Sequence, residues 1–291
     1  MLIAVGMRFD DRVTGNLATY AKQAKIIHLD IDPSEFNKNV KVDIPVLGDC
    51  KKTLTKLIGY IKENKHTEWI DSFAEHAQTE YARVIEKEVY PKEGPLNMGE
   101  VVRAVSEATA HEAILVTDVG QNQMMGVRYF KYKQTRSVVT SGGLGTMGFG
   151  LGAAIGGCIA NQRKRTVLFT GDGSVGMSLH ELATAVSQNL PLLIVIFNNG
   201  VLGMVRQWQT MFYDKHYSHT TLNRKTDFPA LARAFGAEGR KIASVPELEN
   251  ALESLAADVP TVLDCQVDMD EFVLPMIPPG GSVQDLITQR N

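Results

Sequence analysis

Cysteine is scarce: Cys50, Cys158 and Cys265 are the only three in 291 residues. Their odd number and wide separation argue against a disulfide framework, and no two stand at a zinc-ligand spacing. A reducing cytoplasm fits this usage. An excess of charge of one sign is also missing. Thirty basic against 33 acidic side chains leave a net charge of -3, which sets up no field for nucleic acid or an anionic membrane. Long apolar runs are absent as well. Residues 141–160 come nearest to a membrane span, and their glycine density favours a packed loop and helix instead. The opening Met1-Leu-Ile-Ala-Val-Gly6 lacks the length, basic flank and cleavage site of a signal peptide. What remains, 44% hydrophobic and 22% charged residues, is ordinary globular material sized for one large or two modest domains.

Two short motifs organise the rest. Thr166-Val-Leu-Phe-Thr170 runs into Gly171-Asp172-Gly173-Ser174, and Leu192-Leu-Ile-Val-Ile-Phe197 runs into Asn198-Asn199-Gly200. Between them Leu179, Leu182, Ala183 and Val186 recur at helical spacing, and the pattern stops at Gln188-Asn189 before Pro191. The unit reads strand, helix, strand. A crossover of that length makes the strands parallel and brings both motifs to one sheet edge, where open α/β sheets take their ligands. Asp172 offers a carboxylate, Asn199 an amide oxygen, and the backbone just beyond, at Val201, a carbonyl. That oxygen set suits Mg2+, which keeps coordination sites for phosphate. Gly171 and Gly173 let backbone N–H groups approach an anion, and Ser174 donates from a helix start that favours negative charge. A metal-bridged diphosphate is the guest this chemistry fits. Each motif alone reads as a turn; the pair, each member after an apolar strand, is the specific signal.

The rest of the chain alternates strands and helices. Residues 1–5 read as a buried strand. Lys25-Ile-Ile-His-Leu-Asp30 is a second strand, closing on an acid, a common way of holding ribose hydroxyls in parallel α/β units; a simple turn at Asp30 and Asp32 is the competing reading. Residues 46–50 end another extended piece. Helices follow at 51–62 and 67–87, Pro91-Lys-Glu-Gly-Pro95 marks a turn, and 98–109 form a helix with Val101, Val102 and Val105 as its apolar stripe. The strand at 113–117 runs into Asp118-Val-Gly-Gln-Asn-Gln123. Ser141-Gly-Gly-Leu-Gly-Thr-Met-Gly148 is a glycine-rich loop before an apolar helix. It offers N–H groups to phosphate but lacks the lysine of a P-loop and the order of a dinucleotide fingerprint. Helices at 228–235 and 245–256 and a strand at 260–267 complete one doubly wound α/β domain. The proline-rich stretch at 273–289 reads as a lid or a mobile end.

The paired motifs, with Asn198-Asn-Gly-Val-Leu-Gly-Met-Val-Arg-Gln-Trp-Gln209 and Met211-Phe-Tyr-Asp-Lys-His-Tyr-Ser-His219 around them, resemble the thiamine diphosphate fingerprint. More narrowly, and over nearly the whole chain, they resemble the catalytic large subunit of acetohydroxyacid (acetolactate) synthase. The resemblance implies a thiamine diphosphate-binding fold, a doubly wound parallel α/β sheet, over residues 91–291. Before it would come part of a second Rossmann-like α/β domain: the C-terminal part of a middle FAD-binding domain at 1–65, then a helical linker at 66–90. Asp172, Asn199 and Val201 would be Mg2+ ligands. Gln121, Asn122, Gly171, Gly173 and Ser174 would surround the diphosphate, although the family commonly has histidine where Asn122 stands. Gly145 would lie near the aminopyrimidine, Met147 would bend the cofactor, and Leu202, Gly203 and Met204 would lie along it. Trp208 would shape the site for a second 2-ketoacid. Arg8, Asp30, Ile31, Glu35, Asp49, Gly142 and Gly143 would meet a structural FAD. Without the resemblance, Met147 reads as a core gap-filler and Trp208 as a partly buried surface aromatic.

The implied activity is decarboxylation of pyruvate and condensation with pyruvate or 2-ketobutyrate, giving 2-acetolactate or 2-aceto-2-hydroxybutyrate, the first common step of valine, leucine and isoleucine biosynthesis. The implied assembly is a cytoplasmic homodimer or larger, with the active site at the subunit interface and a small regulatory subunit as a partner. The glutamate that such enzymes set against N1′ of the aminopyrimidine belongs to an N-terminal domain without a counterpart here. No catalytic residue is therefore assigned, and the chain alone is expected to be inactive, as a fragment or half of a split enzyme. A thiamine enzyme of the pyruvate oxidase or glyoxylate carboligase type, and a non-catalytic cofactor-binding fragment, remain as alternatives.

Overall fold

The computed structural model describes residues 1–91 and 93–289; Lys92, inside the turn expected between Pro91 and Pro95, lies outside them. Contacts divide the chain into Met1–Thr79 with Leu274–Asn291, and Glu80–Val273.

The first unit holds three parallel strands in the order β1 (Leu2–Val5), β2 (Ile26–Asp30), β3 (Ile44–Leu47). Its helices are α1 (Asp11–Thr14), α2 (Cys50–Ile58) and α3 (Thr67–Glu80), the last running up to the division. The first strand is not buried throughout as its composition suggests. It pairs with β2 on one side only, so Ala4 is buried while Ile3 and Val5 are 48% and 42% exposed.

The second unit opens with a π-helical turn at Tyr81–Ile85 and α4 (Glu86–Val89), which together with α3 replace the single helix expected over 67–87. Then come α5 (Met98–Ala108), β4 (Ile114–Thr117), α6 (Gln121–Tyr129), β5 (Val138–Val139), α7 (Phe149–Ala160), β6 (Thr166–Gly171) and α8 (Asp172–Val175). The chain continues through α9 (Leu182–Ser187), β7 (Leu192–Asn198), α10 (Gly203–Phe212), α11 (Phe228–Ala234), β8 (Glu238–Ile242), α12 (Val245–Glu253) and β9 (Thr261–Gln266). All six strands are parallel, in the order β5-β4-β6-β7-β9-β8. The chain leaves β4 toward β5 and returns on the other side at β6, so the order reverses between β4 and β6. Ligands of doubly wound sheets collect at such a point, outside the carboxyl ends of the strands.

Side chains alternate along each strand and so serve two cores. Val167, Phe169, Val195, Phe197, Leu263 and Cys265 pack on one face with Val101, Val105, Met125 and Leu248. Leu168, Ile194, Ile196 and Val262 pack on the other with Leu151, Ala154, Leu182, Ala185 and Ala232. Burial on both faces explains why β6 and β7 read as unbroken apolar runs. The helix expected between the motifs is a 3-10 turn, Leu179–Glu181, followed by α9. The tighter turn rotates the face, so Leu182 and Ala185 are buried while Ala183 is exposed. Two strands escape the sequence pattern, and both are sheet edges: β5 has two residues, and β8, Glu-Gly-Arg-Lys-Ile, is polar. Among the described residues no helix is long and apolar enough to cross a membrane.

Gly239 on β8 faces α11 so closely that an added methyl would fall on the carbonyl oxygen of Pro229 and 2.8 Å from its Cα. Backbone would have to move. Gly239→Ala is expected to destabilise the second unit by about 1–3 kcal/mol, read as a lower urea midpoint with an unchanged slope.

Candidate functional site

Helix α8 starts directly off β6, with Gly171 as its extended N-cap. Asp172 is buried. Burial pushes its carboxyl up from 3.8 to about 6, against the opposing pull of the amide N–H groups of Gly173, Asp172 itself and Gly200 and of the Arg224 charge. Gly200 follows Asn199, so the carboxylate of one motif meets the backbone of the other. The pairing of β6 with β7, which ends at Gly171 opposite Phe197, puts them there. Asn199 Oδ1 accepts from the Val201 N–H at 3.1 Å, and its Nδ2 donates to Gln121 Oε1 at 3.4 Å.

A segment without any signal in the sequence braces this loop. Leu202 N–H donates to Thr220 O and Leu222 N–H to Gly200 O, both at 2.8 Å, and Val201 bridges to Thr221. Arg224 Nη1 donates to the carbonyl of Asp172 at 2.9 Å.

The expected diphosphate donors from the α6 start are engaged within the protein. Gln121 Nε2 donates to Glu271 O at 2.7 Å and to Gln207 Oε1 at 3.3 Å. Gln207 in turn accepts from Val273 N–H and donates to Val273 O, both at 2.9 Å. Gln121 thus ties Asn199 to the segment 271–273. Asn122 Nδ2 donates to Val119 O at 3.0 Å, while its buried Oδ1 finds no partner among the described residues.

Small residues let these parts close. A methyl on Gly203 would fall on Gln121 Oε1 and 2.8 Å from Asn199 Nδ2. One on Gly173 would lie 2.8 Å from Leu202 Cδ2, 3.3 Å from Leu222 and 3.8 Å from Met147 Cε. Gly173, Met147 and Leu202 therefore come together at the α8 start. Gly145, at φ 60°, faces Val119, and Ser174 Oγ lies 3.5 Å from Val119 O. Met204 packs against the core below, and Trp208 is half-buried, edge-on to Phe212 with ring centroids 5.4 Å apart.

Two helix starts compete for an anion, and the structure separates them. Asp118, buried, accepts from Val119 N–H at 2.9 Å, Gly148 N–H at 2.9 Å and Gly150 N–H at 3.2 Å, with Thr170 Oγ1 at 3.4 Å. The start of α7, behind the glycine-rich loop, is filled by the protein's own carboxylate. The start of α8 is met by the carboxylate of its own first residue, Asp172, which faces the Asp172 and Gly173 N–H groups. Among the described residues no three His, Cys, Asp or Glu side chains gather as a metal cage. Asp172 is the carboxylate that stands buried where the two motifs meet.

In the first unit, Asp30 lies buried at the end of β2, with Oδ1 accepting from Asp32 N–H at 2.9 Å, and Gly48 N–H donates to Asp30 O at 2.9 Å across to the end of β3. Ile31 is 70% exposed. Arg8 pairs with Asp10 and Glu35 with Lys38, each at 2.8 Å, and Asp49 caps α2 through Lys52 N–H at 3.0 Å. Arg8, Asp30, Ile31 and Asp49 thus follow the carboxyl ends of three parallel strands, the edge a nucleotide uses. Gly142 and Gly143 lie in the exposed loop of the second unit.

Glu271 was invisible in the sequence. Its carboxylate accepts from Met98 N–H, the first of α5, at 2.9 and 3.1 Å. Burial raises it from 4.5 to about 8; the Met98 amide opposes the rise, and the Glu88 and Asp268 carboxylates add to it. The folded chain therefore holds a proton that the unfolded chain gives up above 4.5. This contribution to stability is complete below pH 4.5 and is lost as pH climbs through about 8. Glu271→Gln keeps the acceptor without the charge, and should flatten the decline of stability over that window and raise the melting temperature at pH 8.5, as followed by circular dichroism.

Residues 118–265 match the model of the thiamine pyrophosphate enzyme C-terminal TPP-binding domain, and residues 1–57 that of the thiamine pyrophosphate enzyme central domain. The probable acetolactate synthase large subunit of Methanocaldococcus jannaschii is 40% identical over 99% of this chain and 49% of its own length. The acetolactate synthase large subunit of Parasynechococcus marenigrum is 41% identical over 99% and 46%, and the isozyme 2 large subunit of Escherichia coli 38% identical over 99% and 51%. The chain spans about half the length of the curated relatives it matches. With its switch-point sheet and its α8 start matching the TPP-binding model over more than half its length, this chain belongs to the thiamine pyrophosphate enzyme family.

Proposed function

We propose that this chain forms the thiamine diphosphate- and Mg2+-holding half of an acetolactate synthase catalytic subunit, acting on pyruvate and a second 2-ketoacid, pyruvate or 2-ketobutyrate. The observation that carries this is the buried Asp172 carboxylate set against the Gly200 N–H, which brings the two motifs together at the ends of β6 and β7. A carboxylate raised by burial is an environment that a divalent cation relieves. Relatives at 38–41% identity bearing the acetolactate synthase name support the choice among thiamine enzymes.

In this reading Asp172, Asn199 Oδ1 and the Val201 carbonyl hold Mg2+, and the Gly171-to-Ser174 turn, with the Ser174 hydroxyl, lies against the diphosphate. Met147 and Leu202 give the rings an apolar wall. Gln121 acts by fixing Asn199, and Trp208 borders the second ketoacid. Bound thiamine diphosphate supplies the electron sink that decarboxylation of a 2-ketoacid requires. The protein's share is to orient, to neutralise the diphosphate charge and to exclude water. Residues 1–65 are read as FAD-domain sequence, 66–90 as a linker and 91–291 as the cofactor domain, with a structural FAD at Arg8, Asp30, Ile31, Glu35 and Asp49. A cytoplasmic dimer or larger assembly, a small regulatory subunit and a place in branched-chain amino acid biosynthesis belong to the same reading. The proton-relaying glutamate comes from another segment or subunit.

Titration calorimetry tests the site. Thiamine diphosphate should bind only with Mg2+, and Asp172→Ala should weaken it at least a hundredfold, about 3 kcal/mol. Because the metal takes the ionised carboxylate, affinity should fall about tenfold per pH unit below about 6. Undiminished binding in Asp172→Ala would sink the reading. Acetolactate formed from pyruvate by the purified chain alone would overturn the assignment of the glutamate elsewhere.

A further inference from the structure

We propose that Asp118 is a positioning residue that fixes the glycine-rich loop, residues 141–148, over the cofactor site by acting as a built-in anion at the start of α7. This rests on the thiamine diphosphate reading of the α8 start and adds a residue to it. Helix α7 has no side-chain cap of its own: its N-cap is Gly148, in the left-handed region at φ 85°. The unsatisfied N–H groups of a helix start need an acceptor, and a charged one suits them best. Asp118 supplies it from thirty residues earlier, through Gly148 at 2.9 Å and Gly150 at 3.2 Å. Glycine at 150 is required for the approach, since a methyl there would lie 2.8 Å from Asp118 Oδ2 and 2.7 Å from Leu168 Cδ1.

The other contacts of this carboxylate show what the anchor holds in place. Val119 N–H, at 2.9 Å, begins the turn that Gly145 rests on, and Thr170 Oγ1, at 3.4 Å, belongs to the residue before Gly171. The loop itself is held by two short internal bonds, Gly145 N–H to Ser141 O and Thr146 N–H to Ser141 Oγ, both at 3.1 Å. Residues 142–146 are exposed. The reach of Met147 toward Gly173 is therefore set by where α7 begins, and α7 begins where Asp118 holds it. One side chain links the diphosphate end of the site to its ring end. A ligand with only a diphosphate meets α8 and the metal loop; the whole cofactor meets the glycine-rich loop as well.

Asp118→Asn keeps the volume and one acceptor oxygen but sets an N–H donor against a backbone N–H. Mg2+ with inorganic pyrophosphate, and Mg2+ with thiamine diphosphate, are titrated into wild type and variant, and amide exchange is followed without ligand. The expected result is pyrophosphate affinity within about twofold of wild type and thiamine diphosphate about tenfold weaker. Exchange should be faster over residues 141–150 and unchanged over Leu192–Asn198. Equal weakening of both ligands with faster exchange throughout marks a general stabiliser and overturns the proposal, as does a variant identical to wild type. Asp118→Ala provides a second variant: formate, filling the carboxylate site, should restore slow exchange at Gly148 and Gly150, and its failure to do so counts against the anion role. If wild type binds neither ligand, the thiamine diphosphate reading fails, and the ligand-free exchange still decides whether Asp118 anchors the loop.

Discussion

The parallel pairing of β6 with β7, held in register from Thr166 opposite Leu192 to Gly171 opposite Phe197, is the constraint from which the rest follows. Both strands leave the sheet at the same edge, and each is followed at once by its polar motif. A slip of one residue would turn Phe169 and Phe197, stacked at 5.5 Å in one core, into the other, so packing fixes the register. The position of Asp172 beside Gly200 is thus decided by apolar residues that never touch a ligand.

Around that edge the protein uses buried acids in three different ways. Asp118 is paired with backbone N–H groups and satisfied from within the protein. Asp172 is raised by burial against the opposing pull of the Gly173 and Gly200 N–H groups and the Arg224 charge. Glu271 takes the first N–H of α5, while its own carbonyl orients Gln121. The same residue types yield a structural anchor, a raised carboxylate between two loops and a proton-holding brace, because solvation and local donors set the balance.

The two central strands, the apolar stripe of α5 and the meeting of Gly171-Asp172-Gly173-Ser174 with Asn198-Asn199-Gly200 were legible in the sequence. Each depends on residues close in the chain: a run, a helical period, a strand followed by a turn. The edge strands were not, since β8 carries Glu238, Arg240 and Lys241 in a segment with no apolar alternation. Nor was the engagement of Gln121, whose partners Gln207 and Glu271 lie 86 and 150 residues away. The role of Asp118 was not legible either, because its acceptor function appears only when Gly148, thirty residues on, is brought to it. Resemblance to a family supplied names for Met147 and Trp208; packing then placed Met147 beside Gly173 and Trp208 beside Phe212.

The brace along residues 200–202 is built from peptide groups: Leu222 N–H to Gly200 O, and Leu202 N–H to Thr220 O. Main-chain bonds of this kind are indifferent to side-chain identity, with proline the one residue that lacks the donor. Positions 220 and 221, which hold residues 201 and 202 through peptide groups, can therefore change in composition over evolutionary time while the curvature of that loop stays the same. Variation there would alter the surface beside residues 200–202 and leave their main-chain frame intact.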